Sequence, residues 1–336
     1  MEPLITIAIP TYNRVAILQD TLDLLALQDG FHDPDIEIVV SDNASPTDPT
    51  PMLEAFQARH GKPLVLHRNA SNLGIDGNIH QVAEMARGRY VLFMSDDDIL
   101  LPGTLRRLER MVGERPDLLF CFVNGFPFSG TYVPHAVAPP IIRIDNTLVT
   151  RSADEFVETV WVWATFLSAF FVDRRAWTGV ADRERYIGTD IYLTHVLYRL
   201  LAQQPGRTKV VTAEPLIAAR MEYTGSFRIF FAFGLHFMKL VCEDAPRLGF
   251  STRALRAVKV RTIKAGLPPM VLMVRRGKQP RRLNWPEIGM LLRYTWWEPT
   301  AWLYLLPLVL LPRAVLDGLL SLKRRLFPRP AAAATD

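Results

Sequence analysis

Two hydrophobic periods alternate along the first two hundred residues. Residues 4–9 form a short apolar run that stops at Pro10, the length of a buried strand. Ile17, Leu18, Leu22 and Leu25 then recur at helical spacing. The same alternation predicts a β-branched strand at 36–40, a helix at 49–59, a short strand at 64–66 and a helix at 77–87. A strand at 90–94, a helix at 104–112 with Pro102 near its start, and a buried strand at 118–123 follow. Such alternation predicts an α/β fold, a mostly parallel sheet covered by helices on both faces. Between residues 124 and 150 the pattern weakens into Gly, Pro and aromatic residues, and a long loop over a site is expected. A helix at 153–160, a strand at 169–172, an amphipathic helix at 191–201 and a last strand at 209–212 complete the pattern. No repeat of 20 to 50 residues interrupts it.

The composition changes after residue 226. At about 150 residues per domain, 336 residues suggest two units. The expected division is a first domain over 1–225, a mainly helical, basic and aromatic region over 226–330, and a disordered tail over 331–336. With 49% hydrophobic and 22% charged residues, a disordered chain is excluded. The net charge of +5 conceals two unlike parts. Residues 1–246 hold 22 Lys plus Arg against 30 Asp plus Glu, a net of −8, whereas residues 247–336 hold 17 against 4, a net of +13.

Basic groups at Arg275-Arg276, Arg281-Arg282 and Lys323-Arg324-Arg325 flank a stretch containing Trp296, Trp297, Trp302 and Tyr304. The uninterrupted apolar run there, residues 301–311, contains Pro307 and falls short of the roughly 20 residues that span a bilayer. An interfacial or re-entrant membrane anchor is therefore expected, with Trp and Tyr at headgroup level and the cations on anionic lipid. The competing reading is a helical subdomain packed on the first domain, its cations solvated and its Trp residues in the core. A nucleic-acid surface is disfavoured by the Leu-rich run. The N-terminus lacks the charged stretch, apolar run and cleavage site of an export signal, and two cysteines demand no oxidising compartment. The expected location is the cytoplasmic face of the inner membrane, peripheral or monotopic.

Three polar clusters follow three predicted strands: Thr11-Tyr12-Asn13-Arg14, Ser41-Asp42-Asn43-Ala44-Ser45, and Ser95-Asp96-Asp97-Asp98. In an open parallel sheet, ligands bind beyond the carboxyl ends of the strands, so the three clusters would face one crevice. Adjacent carboxylates repel and call for a neutralising charge, and a hard divalent cation (Mg or Mn) bridging to substrate phosphate oxygens would supply it. The alternative for the Asp triplet is a solvated, helix-capping turn. Asp42 reads either as an ordinary turn former beside Pro46 or as an acceptor for a nucleobase on which Tyr12 could stack. The chain has no P-loop, no Gly-x-Gly-x-x-Gly fingerprint and no Gly-x-Ser-x-Gly elbow, and its seven histidines lack zinc spacing.

The stretches Ile7-Ala-Ile-Pro-Thr-Tyr-Asn-Arg14, Glu37-Ile-Val-Val-Ser-Asp-Asn-Ala-Ser45, Asn72-Leu-Gly74 through Asn78, and Gly88-Arg-Tyr-Val-Leu-Phe-Met-Ser-Asp-Asp-Asp98 resemble a family 2 glycosyltransferase of the GT-A fold, over roughly residues 3 to 225. Together with the basic tail, the Ser-Asp-Asp-Asp form is similar to bacterial enzymes of O-antigen and surface-polysaccharide assembly. The resemblance implies that Thr11, Tyr12 and Arg14 line the nucleotide pocket, that Asp42 contacts the base, and that Asn72, Gly74 and Asn78 shape the adjacent loop. It places Asp96 near the ribose and the metal on Asp97 and Asp98. Ser95 stands where the common Asp-x-Asp-Asp pattern has its first Asp, which leaves open which carboxylates touch the metal. Asp190 matches the family's acidic base and can equally be a first-turn acid favoured by the helix dipole. The implied reaction is inverting transfer from a nucleoside-diphosphate sugar to a hydroxyl of a polyprenyl-linked glycan. A nucleotidyltransferase acting on sugar phosphates and a non-catalytic membrane adaptor are the rival readings.

Overall fold

A computed structural model describes residues 2–134, 138–221, 228–275 and 284–326. The expectations placed on Arg276, on Arg281-Arg282 and on the tail 331–336 lie outside these residues, as do the side chains of Lys323, Arg324 and Arg325.

The first half alternates as the pattern predicts: β1 (Ile5–Thr11), α1 (Val15–Leu25), β2 (Ile36–Asp42), α2 (Thr50–His60), β3 (Val65–Arg68), α3 (Gly74–Met85) and β4 (Tyr90–Phe93). Next come β5 (Ile99–Leu100), α4 (Thr104–Glu114), β6 (Leu118–Phe122), β7 (Gly125–Phe128), β8 (Leu148–Thr150), α5 (Ala153–Val160), β9 (Phe170–Asp173), α6 (Arg174–Thr178), α7 (Tyr192–Gln203), β10 (Thr208–Val211) and β11 (Ile217–Arg220). The main sheet has the order β3-β2-β1-β4-β9-β6-β10-β8, and a small second sheet has the order β5-β11-β7. Strands β3, β2, β1 and β4 are mutually parallel, as is the pair β6 and β10; β9 and β8 run antiparallel to their neighbours.

Both faces of the main sheet are covered, which is why its strands read as near-continuous apolar runs. Ile5, Ile7 and Ile9 face one apolar cluster with Leu18, Leu22 and Leu105, while Ala8 and Val39 face a second with Val82 and Phe120. Gly88 marks where the turn into β4 crosses β1, since a Cβ there would lie 2.6 Å from the backbone nitrogen of Thr6.

Several expectations need correction. Residues 124–150 are not one long loop, because β7 and β8 lie within them. The strand at 208–211 is not the last, because β11 follows it. Helix α3 begins at Gly74, three residues before its predicted start.

Beyond residue 228 the described chain is helical, including Thr252–Arg261, Leu267–Arg275, Trp285–Leu292 and Pro299–Tyr304. Leu255, Val258, Leu267, Leu291 and Val309 join the same apolar cluster as Phe120 and Val160, so one core runs across the expected boundary near 226. Gly234 permits backbone contact between this region's helices, since a Cβ there would lie 3.1 Å from the Cα of Leu291. Lys259 is buried, pairs with Glu298 at 2.8 Å and lies over the Trp297 ring. These helices are packed as a subdomain, yet its Trp residues are not the core: Trp285, Trp296, Trp297 and Trp302 are all more than half exposed. No helix among the described residues is long and apolar enough to cross a membrane.

Candidate active site

Because β1 pairs in parallel with both β2 and β4, the three polar clusters lie side by side at one end of the sheet. The centre is a knot of charge. Asp96, 4% exposed, accepts from the Thr11 hydroxyl at 2.7 Å and from Arg14 Nη1 at 2.9 Å. The same Nη1 donates to Asp97 at 2.9 Å. Burial pushes the Asp96 carboxyl above the ordinary range, against the opposing pull of Arg14 and Thr11. Burial also opposes the charge on Arg14, but the two carboxylates outweigh it and raise its pKa. The Thr21 hydroxyl donates to the Asp96 carbonyl at 2.9 Å and ties α1 to this turn.

Asp96 and Asp97 converge on Arg14, and Asp98 turns away from them. Asp97 accepts from Ser95 Oγ at 2.6 Å and from Arg14. Asp98 turns inward, with Oδ2 accepting from Ser168 Oγ at 2.5 Å and Oδ1 from the backbone N–H of Arg220 on β11 at 2.8 Å. Burial and the adjacent Asp97 push its carboxyl up to about 7. Among the described residues no group of three or more His, Cys, Asp or Glu is gathered as a metal cage. A Mg-type cation needs no such cage, since one or two carboxylates with substrate phosphates and water complete its shell. Asp97, whose Oδ2 already faces the Arg14 cation, fits that donor set. Asp98, 3% exposed and turned toward Ser168 and Arg220, lies deeper.

The ends of β1 and β2 are laced to the loop before α3 by asparagines. The Asn78 side chain donates to the carbonyls of Ser41 at 3.0 Å and Thr11 at 3.3 Å, and accepts from Ser41 Oγ at 2.7 Å. Asn43 donates to Asn72 Oδ1 at 2.9 Å and to the Gly74 carbonyl at 3.1 Å. Gly74 has φ +74, a left-handed conformation that favours glycine. Asn78 is buried and Asn72 exposed, so the first braces the loop and the second fronts it. Asp42, fully buried, is held by Ser45 and by Arg68 Nε at 3.1 Å. Tyr12, 43% exposed, stands open at the end of β1.

Asp190 lies at the entrance to α7. Arg228 grips its carboxylate with two nitrogens, Nε to Oδ2 at 2.9 Å and Nη2 to Oδ1 at 2.8 Å, and stacks on the Phe231 ring. Asp76 holds the backbone of the same turn through the N–H of Asp190 at 2.7 Å. Sequence reasoning missed Ser168, Arg220 and Arg228, which carry no motif, and Asp76, which lies within the stretch from Asn72 to Asn78 but was not singled out. The one local hint is that Asp76 falls in the first turn of a helix.

Residues 6–159 match the family model described as Glycosyl transferase family 2. Over 226 residues the chain is 26% identical to abequosyltransferase RfbV of Salmonella typhimurium, covering 65% of this chain and 66% of that one. Over 112 residues it is 30% identical to the GalNAc(5)-diNAcBac-PP-undecaprenol beta-1,3-glucosyltransferase of Campylobacter jejuni, covering 33% of this chain and 35% of the relative. The matches thus span less than two thirds of either relative's length. Among solved structures, S. aureus TarS 1-349 is similar with a TM-score of 0.59 at 15% identity, over 87% of this chain and 78% of that one. The mannosyltransferase PcManGT from Pyrobaculum calidifontis, in complex with GDP-Man and Mn2+, is similar with a TM-score of 0.54 at 16% identity, over 92% and 86%. These likenesses show a shared GT-A-like fold. The clusters from Thr11 to Asp98 fall inside the stretch that is similar to glycosyl transferase family 2, and Asp190 lies beyond it.

Proposed function

We propose that this protein is an inverting, metal-dependent glycosyltransferase. It would move a sugar from a nucleoside-diphosphate donor to a hydroxyl of a polyprenyl-linked glycan in bacterial surface-polysaccharide synthesis. The observation that carries the proposal is the Thr11–Asp96–Arg14–Asp97 knot at the joined ends of β1 and β4. It gathers hard oxygen donors and one cation where a parallel sheet receives its ligand. The family 2 match weighs against a nucleotidyltransferase or an adaptor. A relative named for an undecaprenol-linked substrate supports the acceptor class, and a neighbour solved with GDP-Man and Mn2+ supports the donor and metal.

Asp97 is the proposed metal ligand, with the deeper Asp98 as the second. The bound cation would neutralise the diphosphate leaving group as the glycosidic bond breaks. Arg14 pairs with both Asp96 and Asp97 and aligns them. Tyr12 offers its ring to the base, Asp42 an acceptor oxygen, and Asn72 and Gly74 the loop edge beside it. Asp190 takes the proton from the acceptor hydroxyl. Among the described residues its Oδ1 accepts only from Arg228 Nη2, so a lone pair remains for that hydroxyl. Attack opposite the leaving group inverts the anomeric carbon.

Acceptor recognition is proposed at the cytoplasmic face of the inner membrane. The exposed Trp296, Trp302, Leu303 and Leu310 favour interfacial contact with anionic lipid. A thermal-shift screen of UDP, GDP, CDP and dTDP, with and without Mn2+, tests the donor site. A ligand at 100 times its dissociation constant stabilises by about 2.7 kcal/mol, so the true base stands out. Silence from all four nucleotides refutes the donor site. Near-normal sugar transfer by Asp190→Asn refutes the base.

A further inference from the structure

Asp76 lies in the first turn of α3, two residues past Gly74, and is 3% exposed. Its carboxylate does not cap its own helix. It crosses to the turn that enters α7 and accepts three backbone N–H groups. Gly188 at 2.9 Å and Asp190 at 2.7 Å donate to Oδ2, and Tyr192 at 3.2 Å donates to Oδ1. The turn needs such an anchor. Gly188 has φ +94 and Asp190 has φ +62, and a residue bearing a Cβ pays about 1–2 kcal/mol for the left-handed conformation. The alternate N–H groups of Gly188, Asp190 and Tyr192 converge into an anion-binding concavity, and here the anion is a side chain of the protein itself. Tyr192 opens α7, so its N–H has no partner within the helix, and Asp76 both satisfies it and places negative charge at the positive end of that helix.

The same helix turn reaches the donor side, because the Gly74 carbonyl accepts from Asn43 and Asn78 binds the ends of β1 and β2. Arg228 fixes the Asp190 carboxylate from outside, while Asp76 fixes its backbone from within.

We infer that Asp76 is a positioning residue for sugar transfer, holding the turn that projects Asp190 and locking it to the donor-side loop without touching substrate. This rests on Asp190 being the base. Displacement of a reacting group by about 1 Å can cost 100-fold. Asp76→Asn is isosteric but turns an N–H donor toward N–H groups, and it should lower kcat about 10- to 100-fold with the donor KM little changed. Amide exchange at Gly188, Asp190 and Tyr192 should accelerate. In an Asp190→Asn background the Asp76 substitution should cost nothing further, because its effect passes through Asp190. Gly188→Ala, whose Cβ meets nothing within 4 Å, strains the same turn and should reproduce the kcat loss if Asp76→Asn fails to fold. Wild-type kcat in both variants overturns the inference, as does a loss that multiplies in the double variant. If Asp190→Asn itself turns over normally, the base reading falls and takes the catalytic half of this inference with it, while amide exchange still reports whether Asp76 holds the turn.

Discussion

Arg14→Ala removes the one cation between two buried carboxylates. In the wild type a single guanidinium nitrogen lies 2.9 Å from both Asp96 and Asp97, whose side chains are 5% and 11% exposed. Removing one partner of a buried ion pair costs about 3–5 kcal/mol, because the other charge is stranded. The Arg14 side chain keeps 25% of its surface in water. Solvent screening therefore reduces the expected cost to about 2–3 kcal/mol. At about 2–4 °C per kcal/mol for a chain of this size class, the melting temperature should fall by about 4–12 °C. The assay is thermal unfolding at low salt and neutral pH, without nucleotide or divalent cation. The decisive comparison is Arg14→Ala/Asp96→Asn. The amide still accepts from Thr11 but carries no charge, so the double variant should recover about 1–2 kcal/mol of the loss. A double variant no more stable than Arg14→Ala alone would mean that packing, not charge, accounts for the cost. An Arg14→Ala protein that melts within 1 °C of wild type, about 0.3 kcal/mol, would refute the reasoning altogether.

Three further outcomes are expected. Asp97→Asn should abolish the Mn2+-dependent part of the nucleotide thermal shift and Asp98→Asn should only reduce it; the reverse result makes Asp98 the principal ligand. Replacing Trp296 and Trp302 by Ser should lower co-sedimentation with vesicles containing anionic lipid, and unchanged sedimentation counts against the interfacial surface. Burial pushes Asp76 up to about 6, above an unfolded value of about 3.9, with Asp190 adding repulsion and Arg228 nearby. The folded state therefore binds that proton more tightly, and the associated stability, complete below about pH 4, is lost as pH rises through about 6. Asp76→Asn removes this dependence, so the melting temperature of the variant relative to wild type should rise between pH 4.5 and 7.5; a flat difference contradicts the assignment.

The parallel half of the fold was legible because β1, β2, β4 and β6 are buried on both faces and therefore appear as uninterrupted apolar runs. Strand β7, Gly-Phe-Pro-Phe, and β11, Ile-Ala-Ala-Arg, were not legible. Each is four residues long, contains Gly, Pro or Ala, and owes its extended form to pairing with the other across 92 positions. The tail was half legible. Its helices and exposed Trp residues follow from composition, but its burial against the first domain depends on Leu255, Val258 and Leu291 meeting the cluster around Phe120.

What the sequence determined by itself is the set of chemical groups at the strand ends. Thr11, Arg14, Asp42 and Asp96 to Asp98 each follow an apolar run, and a run that ends in polar residues ends at the sheet's edge. What only the tertiary structure decided is how those groups divide the work. Asp97 and Asp98 are neighbours of identical chemistry, and the turn after β4 aims one at Arg14 and the other at Ser168 and β11. Asp190 is held by Asp76, 114 positions earlier, and by Arg228, 38 positions later. Local sequence carries period and turn preference, which act over a few residues. The direction of a buried carboxylate is set by whichever donors the fold brings within 3 Å, and those come from anywhere in the chain.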